Sequence, residues 1–236
     1  MTCILVAHLG NEVIIAADKR VTHIAEDGVK TPCGDTEEKI VRTEVGVITG
    51  AGSLAMLEPV KSLVRDHGFN SPDDVLDLIL RVRDSFSEIH ADNPRLHADL
   101  AETSLMFTYP TLVNDQAVTR FVYFHQQHGA DSLRRLDAGR VMCFPGGFSL
   151  EQAQELQVKL QDAVTKSLKS CPPEQARQLV ISRMLTLMSE ISNTSETVSH
   201  TCDIALVDGR QVYVAMSASA GVEALSFVPM AHLPSC

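Results

Sequence analysis

No stretch of this chain approaches the roughly 20 consecutive apolar residues of a membrane-spanning helix. The N-terminus also lacks the basic region, apolar stretch and small-residue cleavage site of a signal peptide. A cytoplasmic protein without a membrane partner is therefore expected. Lys and Arg do not gather into runs, and the formal net charge is -10. Nucleic-acid binding draws on clustered basic side chains, so neither DNA nor RNA is an expected partner. The six cysteines include no CxxC pair and no His-Cys cluster at metal-ligand spacing. They read as reduced and mostly buried small apolar side chains. Cys236 is the last residue and not fourth from the end, which fails the prenylation pattern.

The familiar cofactor and hydrolase motifs are missing too. The nine histidines show no HExxH spacing. His125 and His128 are three apart, which on a strand sends them to opposite faces, so no metal is expected. Gly50-Ala51-Gly52-Ser53 lacks the GK[ST] that completes a phosphate loop. Without a GxSxG elbow, a Ser-His-Asp hydrolase has no support. No cofactor is implied.

What is present is an ordinary globular composition, 44% hydrophobic and 21% charged, over 236 residues with no internal repeat, low-complexity tract or linker. One domain spanning 1–236 is the expectation. Two apolar runs, Thr2 to His8 and Glu12 to Ala17, flank Leu9-Gly10-Asn11, which favours a tight hairpin. The polar segment Thr22 to Glu38 reads as irregular. Lys39 to Arg42 and Val45 to Thr49 read as two further strands. A helix is expected from Ser53 to about Asp66, with Pro59 marking a kink or a boundary. Ser71-Pro72-Asp73-Asp74 then starts a second helix, with a capping serine, a first-turn proline and acids at the positive helix end. Its apolar stripe runs from Val75 to Ile89. Strands return at Glu102 to Tyr109, Val118 to Gln126 and Arg140 to Phe144. Helices follow from Ser149 and over about Pro173 to Ile191, then strands at Asp203 to Val207 and Gln211 to Met216. Strands, two helices, strands, two helices, strands: that order lacks βαβ alternation, and a four-layer αββα sandwich of two antiparallel sheets, an α+β fold, accounts for it.

Chemistry concentrates at the start. Thr2 begins a strand, where pairing pins a segment that otherwise frays. Once Met1 is removed, one residue offers both a hydroxyl and a free amine. An α-amino group titrates near 7.7 to 8.0, close enough to neutrality to take the hydroxyl proton. Thr2-Cys3-Ile4-Leu5-Val6, followed by Val13-Ile14-Ile15-Ala16-Ala17-Asp18-Lys19-Arg20-Val21-Thr22, resembles the opening of proteasome β-subunits and of the bacterial two-ring proteasome-like peptidase. Glu38-Lys39-Ile40 and Thr49-Gly50-Ala51-Gly52-Ser53 extend the resemblance, which is strongest over residues 2 to 65.

That resemblance implies an N-terminal nucleophile hydrolase of the threonine type, a peptidase acting through an acyl-enzyme on Thr2. Lys39 would act by its field, Asp18 would hold it, and the Gly52 N–H, or as an alternative that of Gly50, would receive the oxyanion. Ser195 would meet the Thr2 amine, and Arg20 would be support. Peptides or unfolded proteins are the implied substrates and a homo-oligomeric ring the implied assembly; no motif supports an ATPase partner. Two positions depart from the family pattern. Pro145 replaces a supporting serine, and Ser192 stands where many members have aspartate. A catalytically silent ring or scaffold subunit is thus the alternative, and Cys3 as nucleophile after further trimming is a third reading.

Overall fold

The apolar runs near the N-terminus are buried along their whole length, and they do so as the middle of a sheet. The computed structural model describes residues 2–25, 28–222 and 225–232; Met1 and Cys236 lie outside them. Strands β1 (Cys3–His8) and β2 (Glu12–Asp18) pair antiparallel, with Ile4 opposite Ala17. They form the centre of a six-stranded sheet completed by β10 (Val141–Pro145), β11 (Cys202–Asp208), β12 (Gln211–Ala218) and β13 (Val228–Pro229). The strand order is β10-β1-β2-β11-β12-β13. A five-stranded sheet runs β5 (Val41–Arg42), β6 (Val47–Ala51), β7 (Ser104–Val113), β8 (Gln116–His125), β9 (Arg134–Leu136). Every pairing in both sheets is antiparallel.

Side-chain alternation explains why β1 and β2 carry continuous apolar runs instead of a polar–apolar pattern. Cys3, Leu5, Ala7, Ile14 and Ala16 pack against Leu160, Val164, Val180 and Met184. Those partners lie on α4 (Leu150–Ser170) and α5 (Pro173–Ser192). Ile4, Val6, Val13, Ile15 and Ala17 face the other way and pack with Val47, Met106 and Phe121 of the five-stranded sheet. A third apolar cluster joins Ile48, Leu105, Phe107 and Phe124 to α1 (Leu54–His67) and α2 (Pro72–Ile89). With both faces of its centre covered, the first sheet has no place for alternating polar residues.

Helix starts follow the sequence closely. Ser71 accepts from the Asp74 N–H while Asp74 reaches back to the Ser71 N–H, a reciprocal cap; Ser149 and Gln152 repeat it on α4. Helix α1 runs through Pro59 without a break. Several expectations need correction. The segment read as irregular, Thr22 to Glu38, contains an antiparallel hairpin of β3 (Val21–Ile24) and β4 (Lys30–Gly34), with β4 exposed throughout. A ribbon with little apolar burial leaves no hydrophobic alternation to read. The strand expected from Glu102 begins at Ser104, behind a short helix α3 (Leu96–Glu102). The third strand shrinks to Val41–Arg42, leaving Lys39 and Ile40 in the connection before it.

Candidate active site

Asp18 ends β2 beside the first residues of β1, and its carboxylate is fully buried. A buried carboxylate is tolerated only with charge and hydrogen-bond partners, and Asp18 has four. Its Oδ1 accepts from the Cys3 N–H at 2.8 Å and from Lys39 Nζ at 2.7 Å. Its Oδ2 accepts from the Arg20 N–H at 2.9 Å and the Ser199 N–H at 3.3 Å. Three separate segments therefore converge on one side chain: the start of β1, the connection that holds Lys39, and the loop after α5.

Lys39 is itself buried, and its ammonium also donates to the Arg20 carbonyl at 2.7 Å. Burial lowers its pKa from the usual lysine range, with the Asp18 charge and hydrogen bond opposing that shift. The result is a buried cation held by Asp18 and the Arg20 carbonyl, on the same carboxylate oxygen that accepts from the N–H of Cys3, the residue after Thr2. Thr2 is buried, its carbonyl accepts from the Gly146 N–H at 3.0 Å, and by alternation along β1 its side chain shares the inter-sheet face of Ile4. Among the described residues its hydroxyl makes no hydrogen bond, so Lys39 is aimed at Asp18 and Arg20 and not directly at that oxygen.

Arg20 comes shortly after Asp18 and binds through its side chain elsewhere. Its guanidinium grips both oxygens of Asp35, each at 2.7 Å, and donates to the Glu196 carbonyl at 2.7 Å. This clamps the base of the β3–β4 hairpin to the loop after α5. Gly52 sits at the end of β6 with φ +119, a conformation that glycine alone adopts freely. A Cβ there would lie 2.5 Å from Thr103 Cα, so only glycine lets the two segments approach.

The loop after α5 departs from the sequence expectation. The Ser195 hydroxyl pairs with Thr197 at 2.9 Å, and no bond to Thr2 is present among the described residues. Ser192 donates to the Ser189 carbonyl and lies 3.0 Å from His200 Nδ1. Ser199 is the serine that reaches the cluster: besides its N–H on Asp18, its hydroxyl accepts from the Lys19 N–H at 2.7 Å. Lys19 in turn forms a buried ion pair with Asp203, 3.1 Å to each oxygen. Neither residue stood out in the sequence, because each is read only through the chain crossing that joins β2 to β11. Pro145, opposite Cys3 in the β1–β10 ladder, contributes no hydroxyl.

Cys3 is a poor nucleophile here. Its side chain packs in the apolar cluster under α4 and α5, and burial raises its thiol pKa well above the ordinary value, with the Asp18 charge adding to the effect. Among the described residues, no group of three His, Cys, Asp or Glu could hold a metal ion, and no helix is long and apolar enough to cross a membrane.

No protein-family model matches the chain, and no curated protein matches it. Among solved structures, it is similar to the Anbu (Gly-1) mutant from Hyphomicrobium sp. strain MC1. The TM-score is 0.58 at 13% identity, over 94% of this chain and 89% of that one. At this identity the likeness speaks to the fold alone, which is proteasome-like.

Proposed function

We propose that the chain is a threonine-type peptidase that hydrolyses peptide bonds through an acyl-enzyme on Thr2, after removal of Met1, on a four-layer αββα framework. The observation that carries this reading is the Asp18 Oδ1 atom, which accepts at once from the Cys3 N–H and from the buried Lys39 ammonium. That arrangement ties the Lys39 ammonium, through one carboxylate oxygen, to the backbone next to the residue whose amine and hydroxyl would react. The three successive apolar clusters support the layering.

In the proposed reaction the freed Thr2 amine takes the hydroxyl proton, directly or through one water, and the oxygen attacks the substrate carbonyl. The Lys39 charge lowers the pKa of both groups, which favours the neutral amine near pH 7. The Gly52 N–H would donate to the developing oxyanion. Collapse of the tetrahedral adduct expels the amine product, which takes the proton back from the Thr2 ammonium. Water then hydrolyses the Thr2 ester. We assign Ser199, in place of Ser195, the support of this end of the site, because Ser199 bonds both Asp18 and Lys19. Asp18, Lys39 and Gly52 keep their proposed roles, and Arg20 holds the surrounding loops. A homo-oligomeric ring with a partly enclosed site, taking peptides or unfolded proteins, is the assembly in keeping with this reading.

The experiment is intact-mass analysis of protein from its native cell, followed by incubation with a peptide carrying a threonine-directed electrophile. Loss of Met1 and a single adduct on Thr2, absent in Thr2→Ala and retained in Cys3→Ala, is expected. Retained Met1 and no adduct would instead favour the second reading, a catalytically silent ring or scaffold subunit. Two observations speak for that second reading: Pro145 supplies no hydroxyl, and Ser192 and Ser195 spend theirs on His200, Ser189 and Thr197.

A further inference from the structure

His8 closes β1, and its ring is fully buried. It pairs with Val13 across the β1–β2 ladder and alternates with Ile4 and Val6, so the ring occupies the gap between the two sheets at the end remote from Asp18. Its Nδ1 accepts from the Gly10 N–H at 3.3 Å, which puts the ring proton on Nε2. Among the described residues Nε2 has no hydrogen-bond partner. A buried polar atom without a partner is costly, and a native fold keeps few of them.

Main-chain bonds show what meets at this ring. Leu9-Gly10-Asn11 turns the chain from β1 into β2, with Gly10 at φ +108 and the Leu9 N–H on the Glu12 carbonyl at 2.9 Å. The Asn11 carbonyl accepts from the Thr119 N–H of β8 at 3.0 Å, which docks the turn on the second sheet. The His8 carbonyl accepts from the Gly139 N–H at 2.7 Å, and the His8 N–H donates to the Arg140 carbonyl at 3.0 Å. The connection before β10 is therefore tied to the same point.

A second proton on the ring would act twice. Nδ1 would become a donor facing the Gly10 N–H, and the new charge would lie in a dry gap. Its neighbours offer no free counter-ion. Arg120 on β8 and Arg135 on β9 oppose the charge; Asp137 favours it but is paired with Arg135 at 3.5 Å. Glu12 and Asp208, partners in the β2–β11 ladder, alternate with Val13 and Val207 and so lie on the helix-covered face, where Arg177 holds Glu12. The Arg140 side chain is exposed. Burial, more than the two arginines, lowers the His8 pKa to about 4.

We propose that His8 is an acid-sensitive latch: protonation of its ring releases the β1–β2 turn from β8 while the centre of the sandwich stays folded. The latch lies at the other end of β1 from Thr2 and stands independently of the peptidase reading. A solvated histidine titrates near 6.5, so between that pH and about 4 the opened turn binds a proton that the closed one refuses. The stability that His8 contributes is complete above this window and is lost as pH falls through it.

The test follows the His8 ring by NMR through a pH titration of the full-length protein, and measures amide-exchange protection, corrected for intrinsic rate, at pH 7.5 and pH 5. The ring is expected to titrate well below 6. Protection at the Gly10 and Thr119 amides should fall about thirtyfold between the two pH values, while the Met106 and Phe107 amides of β7 keep theirs. His8→Asn retains an acceptor for the Gly10 N–H and cannot titrate, so its protection at Gly10 and Thr119 should be the same at both. Arg135→Gln, at an exposed position, gives a second variant: the ring pKa should rise and the loss of protection should shrink. A ring that titrates near 6.5, an equal loss of protection in β7, or a pH effect that persists in His8→Asn overturns the proposal. So does an Arg135→Gln ring pKa that stays in place.

Discussion

At the scale of the residue, Asp18 is a single carboxylate with four hydrogen bonds, three from backbone amides and one from a buried ammonium. A buried ion pair adds little net stability over an apolar pair of the same shape, but removing one partner strands the other charge. Asp18→Asn is therefore expected to cost about 3 to 5 kcal/mol in urea unfolding. The new amide NH2 would also face the Arg20 and Ser199 N–H donors. Adding Lys39→Met should recover part of that loss, giving a strongly non-additive double-mutant cycle; simple additivity would show that the two side chains do not act as a pair. This partnership was legible in the sequence because Asp18 and Lys39 stand in recognisable surroundings. Ser199 was not, since the serines at 192, 195 and 199 look alike until the chain bends back. Only the fold shows that the third of them meets Asp18 while the second turns to Thr197.

At the scale of the element, the junction of β6 and α1 depends on one glycine. Ser53 caps α1 without a side-chain bond, and its N–H instead donates to the Thr103 hydroxyl at 3.0 Å. Gly52 must then pass within contact of Thr103 at a positive φ. Gly52→Ala is expected to destabilise the fold by about 2 to 4 kcal/mol, combining a backbone penalty with a steric one. Thr103→Ala in the same chain should relieve little, because the obstruction includes the Thr103 backbone; a full rescue measured by thermal unfolding would contradict this. The elements that sequence patterning located well, β1, β2, α2, α4 and α5, are those with an apolar stripe or a side-chain cap. Those it missed, β3, β4, β9, β13 and α3, hold no fully buried residue, so the periodic signal that identifies an element was never written into them.

At the scale of the whole molecule, the two large sheets are joined by more than apolar packing. The Thr119 hydroxyl on β8 donates to the Val207 carbonyl at 3.1 Å and accepts from the Gly209 N–H at 2.8 Å, while its own N–H donates to the Asn11 carbonyl at 3.0 Å. Thr119→Val keeps the shape and removes both hydroxyl bonds, leaving the buried Gly209 N–H without its Thr119 acceptor. A loss of about 2 kcal/mol is expected, together with faster amide exchange at Gly209; Thr119→Ser should behave like the parent. The order of strands and helices in the sequence was enough to suggest two sheets with helices. This crossing between them was not visible, because a threonine in a strand gives no sign of which distant backbone it will meet.

The β3–β4 hairpin occupies the stretch of chain that separates Asp18 from Lys39, and its base is held by the Arg20–Asp35 clasp and by the Glu37 N–H on the Lys19 carbonyl. Those fastenings uncouple the length of the ribbon from the spacing of the two charges. An insertion between the two strands thus adds reach at the molecular surface while the ammonium stays seated, which makes this turn the natural place to graft a foreign sequence or an immobilisation tag.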